Sequence, residues 1–239
     1  MKASFLNEAF RINFVLVKFS YIYFIVVEIS MQRGLFISVE GIDGAGKSTH
    51  VEFIRQYLHD KGIEVIVTRE PGGTVVGEKI RELLLTSEHM HHNTELLLYF
   101  ASRQEIIRQV ILPNLEAGVC VIADRFVDAS IAYQGGGRQL GVDKIKLVYS
   151  LLEPTLTTDA TFLFDVPLNL AMDRLSRGRE LDRIELESQE FFTRVQNTYH
   201  QLAREEPERI KTVMTNQPLH KTREVLARYL DELLAKRMN

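Results

Sequence analysis

With 239 residues, 45% of them apolar and 26% charged, the chain has the size of one domain, or of one domain with a small appendage, and enough apolar material for a sizeable core. A net charge of −3 excludes a general polyanion-binding surface, so an anionic substrate must be met by a few placed cations. The one cysteine, Cys120, sits in the apolar run Val119-Cys120-Val121-Ile122; it excludes a disulfide framework within the chain and reads as a small buried hydrophobe.

The chain opens on an odd segment. Residues 14–27 are apolar apart from Lys18 and Ser20, a run shorter than the roughly 20 residues that a membrane span requires. No small-residue cleavage site follows, and Glu8 stands where a signal peptide carries basic residues. The reading adopted is that Met31 is the natural start and residues 1–30 are an extension outside the fold; a membrane anchor is the alternative. From Gly34, short apolar runs alternate with longer amphipathic stretches. Strands are predicted over Leu35–Val39, Glu64–Thr68, Val119–Ala123, Thr161–Val166 and Ile210–Met214. They are rich in β-branched residues and bounded by Gly, Pro or charge, as strands buried on both faces of a parallel sheet are. Helices are predicted over Ser48–Lys61, Val76–Leu85, Asn93–Ala117, Asp143–Leu152, Leu168–Arg177, Ser188–Glu205 and Thr222–Lys236. The alternation argues for a single doubly wound α/β domain over residues 31–239, in which ligands bind beyond the carboxyl ends of the strands.

The chemical signals fall at those ends. Gly41-Ile42-Asp43-Gly44-Ala45-Gly46-Lys47-Ser48-Thr49 directly follows the first of these strands and fits the phosphate-loop pattern Gly-x4-Gly-Lys-Ser/Thr. Its glycines let backbone N–H groups turn inward around phosphate oxygens, and the following helix presents its N-terminus to the same charge. Lys47 is expected on the β- and γ-phosphates of ATP and the Ser48 hydroxyl on Mg²⁺. A second strand ends in Asp124-Arg125, where Asp124 is placed to help hold Mg²⁺ and Arg125 offers a planar fork for a phosphate. Arg69 opens the turn Arg69-Glu-Pro-Gly-Gly-Thr74; with Arg81, Arg103 and Arg125 it could neutralise a second phosphate group. Tyr99 and Arg103, four apart on a helix, share a face that suits a nucleobase, although Tyr99 or Phe100 alone would read as core. Arg177-Gly-Arg179-Glu-Leu-Asp-Arg183 could close over ATP and bring positive charge to the transferring phosphoryl, or be an ordinary solvated charge run.

With these residues in hand, the chain resembles the thymidylate kinases of bacterial type, from about Gly34 to the C-terminus. The strings that carry the resemblance are Val39–Thr49, Thr68–Thr74, Asp124–Gln134, Glu180–Glu185 and Asn216–Leu219. It implies a nucleoside-monophosphate-kinase fold with a five-stranded parallel sheet, a mobile lid at about residues 176–186, Mg-ATP as donor, dTMP as acceptor and a cytoplasmic homodimer. It further implies that Asp43 meets the acceptor's 3′-hydroxyl, that Arg69 and Arg125 clamp the dTMP phosphate, and that Arg103, Ser130 and Gln134 read thymine. Tyr99 stands where the family usually has a stacking Phe, which leaves Tyr99 and Phe100 both as candidates. Position 44 is Gly where eukaryotic-type members carry a loop Arg, so the catalytic Arg is expected in the lid, as Arg177 or Arg179; an Arg placed at 44 is expected to restore part of the rate lost with them. The competing readings are another small P-loop kinase and a nucleotide-binding regulatory module without turnover.

Overall fold

The computed structural model describes residues 10–19, 22–176 and 181–238. Strands β1 (Phe10–Phe19) and β2 (Ile22–Met31) pair antiparallel as a two-stranded sheet of their own. The other five strands are β3 (Phe36–Glu40), β4 (Val65–Arg69), β5 (Cys120–Asp124), β6 (Ala160–Asp165) and β7 (Ile210–Met214), and they form one sheet in the order β4-β5-β3-β6-β7. All four pairings within it are parallel. The central strand β3 is buried along its whole length, whereas the edge strands β4 and β7 mix buried residues with half-buried and exposed ones. That gradient follows from helices covering both faces. Phe36, Val121 and Ala123 point into one core cluster, and Ile37, Val39, Cys120 and Ile122 into the other, the period of two that separates the faces of a sheet.

The helices are α1 (Lys47–Asp60), α2 (Val75–Thr86), α3 (His92–Ile106), α4 (Leu112–Glu116), α5 (Val127–Ser130), α6 (Val142–Tyr149), α7 (Leu168–Leu175), α8 (Gln189–Glu205) and α9 (Leu219–Met238). The single helix expected over residues 93–117 is interrupted by a π-helical turn, Ile107–Ile111, immediately before Pro113. Proline has no N–H to offer the carbonyl one turn back, and a π turn absorbs the lost bond without breaking the axis. A second π segment, Ile131–Gly137, continues α5 where no helix was expected.

Candidate active site

At the carboxyl edge of β3 the chain turns through Gly41–Gly46 into α1. Gly41 has φ +133 and Gly44 φ +80, regions that side chains rarely adopt. A Cβ at Gly41 would fall 2.3 Å from the Phe164 carbonyl oxygen on β6, and one at Gly44 2.2 Å from that of Ala171 on α7. The loop is therefore pressed onto its neighbours by backbone alone. The first turn of α1 carries no acidic residue, so its positive end is uncompensated and available to an anion. Lys47 is buried, and its ammonium donates to the carbonyls of Gly41 and Ile42, both at 3.0 Å, with the Asp43 carboxylate at 3.6 Å. Burial and the Arg125 cation depress its pKa, while Asp43, Asp124 and Glu40 act the other way.

Strand register sets the rest of this edge. Asp124 is level with Val39 on one side and Arg69 on the other, so three strand ends deliver side chains to one place. Arg125 follows at φ +72, a left-handed conformation that costs a non-glycine residue on the order of 1–3 kcal/mol. The turn is held by bonds on both sides of it: Arg125 N–H donates to Val39 O (3.0 Å), and Phe126 N–H donates to the buried Glu40 carboxylate (2.7 Å). The conformation turns the guanidinium back over the phosphate loop, where it donates to Gly41 O at 3.2 Å and Asp43 Oδ1 at 2.5 Å. Tyr133 closes the arrangement, donating its hydroxyl to Asp43 Oδ2 (2.9 Å). Burial alone would raise the Asp43 carboxyl; the Arg125 and Lys47 cations and the Tyr133 and Arg125 hydrogen bonds outweigh it and hold Asp43 well below the usual carboxylate range. Asp43 is thus an anion at any physiological pH.

On the far side, Arg103 is almost completely buried beneath the chamber floor. It donates to Glu70 Oε2 (2.8 Å), Ser130 Oγ (3.1 Å) and Phe126 O (3.0 Å), with its guanidinium 4.9 Å from the Phe100 ring centre. Arg69 is exposed, and its Nη2 donates to both carboxylate oxygens of Glu78 at 2.9 Å, while Arg81 donates to Pro71 O at 3.0 Å. Gln134 is buried and donates to Glu95 Oε1 at 3.0 Å.

One cavity of about 640 Å³ joins the two sides. Asp43, Gly44, Gly46, Lys47, Ser48 and Thr49 line it at the loop; Asp124, Arg125 and Arg69, level with Asp124, lie between; Arg81, Tyr99, Arg103, Ser130 and Gln134 line it beyond. Gly41, Ile42 and Ala45 shape the loop from beneath without lining the cavity. Tyr99 and Phe100 separate: Tyr99 reaches the cavity, and Phe100 lies in the core against Tyr149. Arg177 and Arg179 lie outside the described residues. Several cavity residues were given no role of their own in the sequence reading. Tyr133 is the hydroxyl that links Asp43 to Arg125; it lies within the string Asp124–Gln134 that carries the family resemblance, but no role was assigned to it there. Arg174, on α7, lines the cavity and donates to Gly44 O (3.3 Å) and Thr215 O (3.1 Å). Asp182 lines it where the chain returns toward α8.

The residues suit a divalent cation. Asp124 Oδ1 is buried with no hydrogen-bond partner among the described residues, an anionic acceptor that a cation could occupy. Ser48 lines the same cavity with a hydroxyl.

A cradle for donor phosphates that opens into a polar, arginine-lined chamber places two phosphorylated ligands end to end, the arrangement of the P-loop nucleoside-monophosphate kinases. Residues 39–225 match the thymidylate kinase family pattern. The chain is 52% identical over 204 residues to the thymidylate kinase of Bordetella pertussis, covering 85% of this chain and 98% of that one. It is 48% identical over 203 residues to that of Nitrosomonas europaea, covering 84% and 94%. The crystal structure of the Ehrlichia chaffeensis thymidylate kinase superposes with a TM-score of 0.68 at 30% identity, over 83% of this chain and 99% of that one. The chain belongs to the thymidylate kinase family.

Proposed function

We propose that the protein transfers the γ-phosphoryl group of ATP to dTMP, giving dTDP and ADP. The observation that carries this reading is the single cavity that runs from Lys47 and Ser48 to Arg103, Ser130 and Gln134 with Arg69 and Arg125 between them. A nucleoside monophosphate lying in it has its base at the far end and its phosphate between the arginines, facing the loop. Asp43 lies beside Arg125 at the sugar's level, where a permanent anion accepts from a hydroxyl. Little covalent chemistry is asked of the protein, because a phosphate oxygen of dTMP is already an anionic nucleophile. Lys47, the loop N–H groups and the arginines hold the two phosphates in line and neutralise charge as it shifts, so no general base is assigned. Ser48 and Asp124 would hold Mg²⁺, which supplies further charge neutralisation on the donor phosphates. ADP formation is expected to depend on dTMP, to be lost on chelating divalent cations with EDTA and to return with added Mg²⁺. A coupled assay with dTMP, thymidine, dUMP, dCMP and AMP checks this, and ATP hydrolysis indifferent to dTMP would defeat it.

The family resemblance supports a cytoplasmic homodimer. No helix among the described residues is long and apolar enough to cross a membrane. Val76 and Leu83 on α2 and Leu97 on α3 are exposed apolar residues on elements that pack together, which suits a subunit contact. Every described residue that lines this cavity stands at position 43 or later. A chain beginning at Met31 is therefore expected to sediment as a dimer and keep its dTMP kinase activity. An insoluble or inactive product would make the extension part of the fold.

A further inference from the structure

We propose that Glu95 is a positioning residue for specificity: by holding the Gln134 amide in one orientation, it makes the acceptor chamber favour a pyrimidine protonated at N3, thymine or uracil, over cytosine. The proposal rests on the reading of Gln134 as a base-facing residue given above. Glu95 lies in the first turn of α3 and is completely buried. Its carboxylate accepts from Gln134 Nε2 (3.0 Å) and Arg138 Nε (3.2 Å) through Oε1, and from Arg138 Nη2 (3.2 Å) through Oε2, which also lies 2.7 Å from Arg183 Nη1. Burial pushes its pKa up, but the hydrogen bonds from Arg138, Gln134 and Arg183 outweigh burial and leave it below the usual value. Two guanidinium groups thus keep Glu95 ionised at neutral pH.

An ionised carboxylate can only accept. The Gln134 atom that faces it must be the NH₂ group, since the flipped amide would set its carbonyl oxygen against an anion in a buried site. The Gln134 carbonyl is therefore turned away from Glu95, and no donor among the described residues reaches it, although the side chain lines the cavity. What it lacks is an N–H. Thymine and uracil present one at N3, while cytosine presents a lone pair there and would meet the carbonyl oxygen acceptor to acceptor. A site built around a hydrogen bond rejects a ligand lacking it, because its own polar group is left unpaired. Without Glu95 the amide is free to turn and offer N–H to cytosine instead.

The alternative is that Glu95 merely neutralises Arg138 and Arg183, in which case its loss lowers every acceptor alike. Steady-state kcat/KM for dTMP, dUMP and dCMP separates the two. In Glu95→Gln the dTMP-to-dCMP ratio is expected to fall about 10- to 100-fold, with the dTMP-to-dUMP ratio unchanged, because uracil shares the O4 and N3–H edge of thymine. Glu95→Asp keeps the charge between the arginines but withdraws the acceptor by one methylene; a smaller fall in the same ratio is expected, and this variant serves if Glu95→Gln does not fold by circular dichroism. A folded variant with the wild-type dTMP-to-dCMP ratio, or one in which all three acceptors drop by the same factor, overturns the proposal. So does a wild-type protein that uses dCMP as well as dTMP. A wild-type protein that turns over no dTMP at all defeats the proposed function instead, which keeps the two failures apart.

Discussion

Lys47→Ala is expected to abolish measurable dTMP kinase turnover while leaving the protein folded. Lys47 is buried, and among the described residues its ammonium makes two hydrogen bonds, to Gly41 O and Ile42 O at 3.0 Å, both to loop carbonyls rather than to a core partner. The nearby Asp43 does not become an orphaned anion when Lys47 is removed, since Arg125 at 2.5 Å and Tyr133 at 2.9 Å still hold it. The fold thus loses little. Catalysis loses the side-chain cation at the loop, at the point where charge builds on the donor phosphates. Removing one preorganised donor of this kind costs about 10²–10³ in kcat, and a full charge on a transferring phosphoryl group sits at or beyond the upper end of that range. The check is kcat at saturating ATP and dTMP beside a thermal melt. A folded mutant with near wild-type kcat would remove the phosphate loop from the mechanism.

Much of this arrangement was legible in the residues, and the gaps have physical causes. All five strands of the large sheet were read from apolar runs, four of them displaced by a residue at one end or both, because pattern marks the buried stretch and hydrogen bonding marks the ends. The element Val127–Gly137, which carries Ser130 and Gln134, was not read as helical, and its three consecutive glycines explain why: they argue against a helix locally. Packing overrides that preference. A Cβ at Gly136 would meet Thr198 Oγ1 at 2.0 Å, and one at Gly137 would meet the Phe191 ring at 2.6 Å, so α8 can lie against this segment only where there are no side chains. Ser130 and Gln134, four residues apart, then share the face that looks into the cavity. Pairings between separate elements, such as Tyr133 with Asp43 or Glu95 with Gln134, join residues far apart in sequence and leave no periodic trace. The choice between Tyr99 and Phe100 likewise depends on helix rotation, which the core decides.

The second large effect is expected from the lid. Arg177→Ala combined with Arg179→Ala should lower kcat by about 10³–10⁵, the contribution of an arginine acting on a transferring phosphoryl group, with dTMP affinity nearly unchanged. Leu175 and Asp182, described residues that precede and follow this segment in the chain, both line the cavity. The phosphate loop offers no second cation, because position 44 is Gly. Arg174 also reaches the cavity, but its guanidinium is committed to the carbonyls of Gly44 and Thr215. The residues proposed to face the base, Arg103, Ser130 and Gln134, stand on α3, α5 and the following π segment and are left in place by the double substitution, which is why binding of dTMP is expected to survive. The structure also changes the outlook for rescue by an arginine at position 44, which sequence comparison with eukaryotic-type members favours. Gly44 has φ +80, and a Cβ there would lie 2.2 Å from the Ala171 carbonyl oxygen, a backbone atom that cannot swing aside. Gly44→Arg in the double mutant is therefore expected to distort the loop and restore nothing. Removing both lid arginines together prevents either from covering for the other. Steady-state kinetics with both substrates varied, beside calorimetric titration of dTMP, reads the two quantities separately. An unchanged kcat would make the segment an ordinary solvated basic loop, and a dTMP affinity that falls in step with kcat would place these arginines on the acceptor instead of on the phosphoryl group in flight.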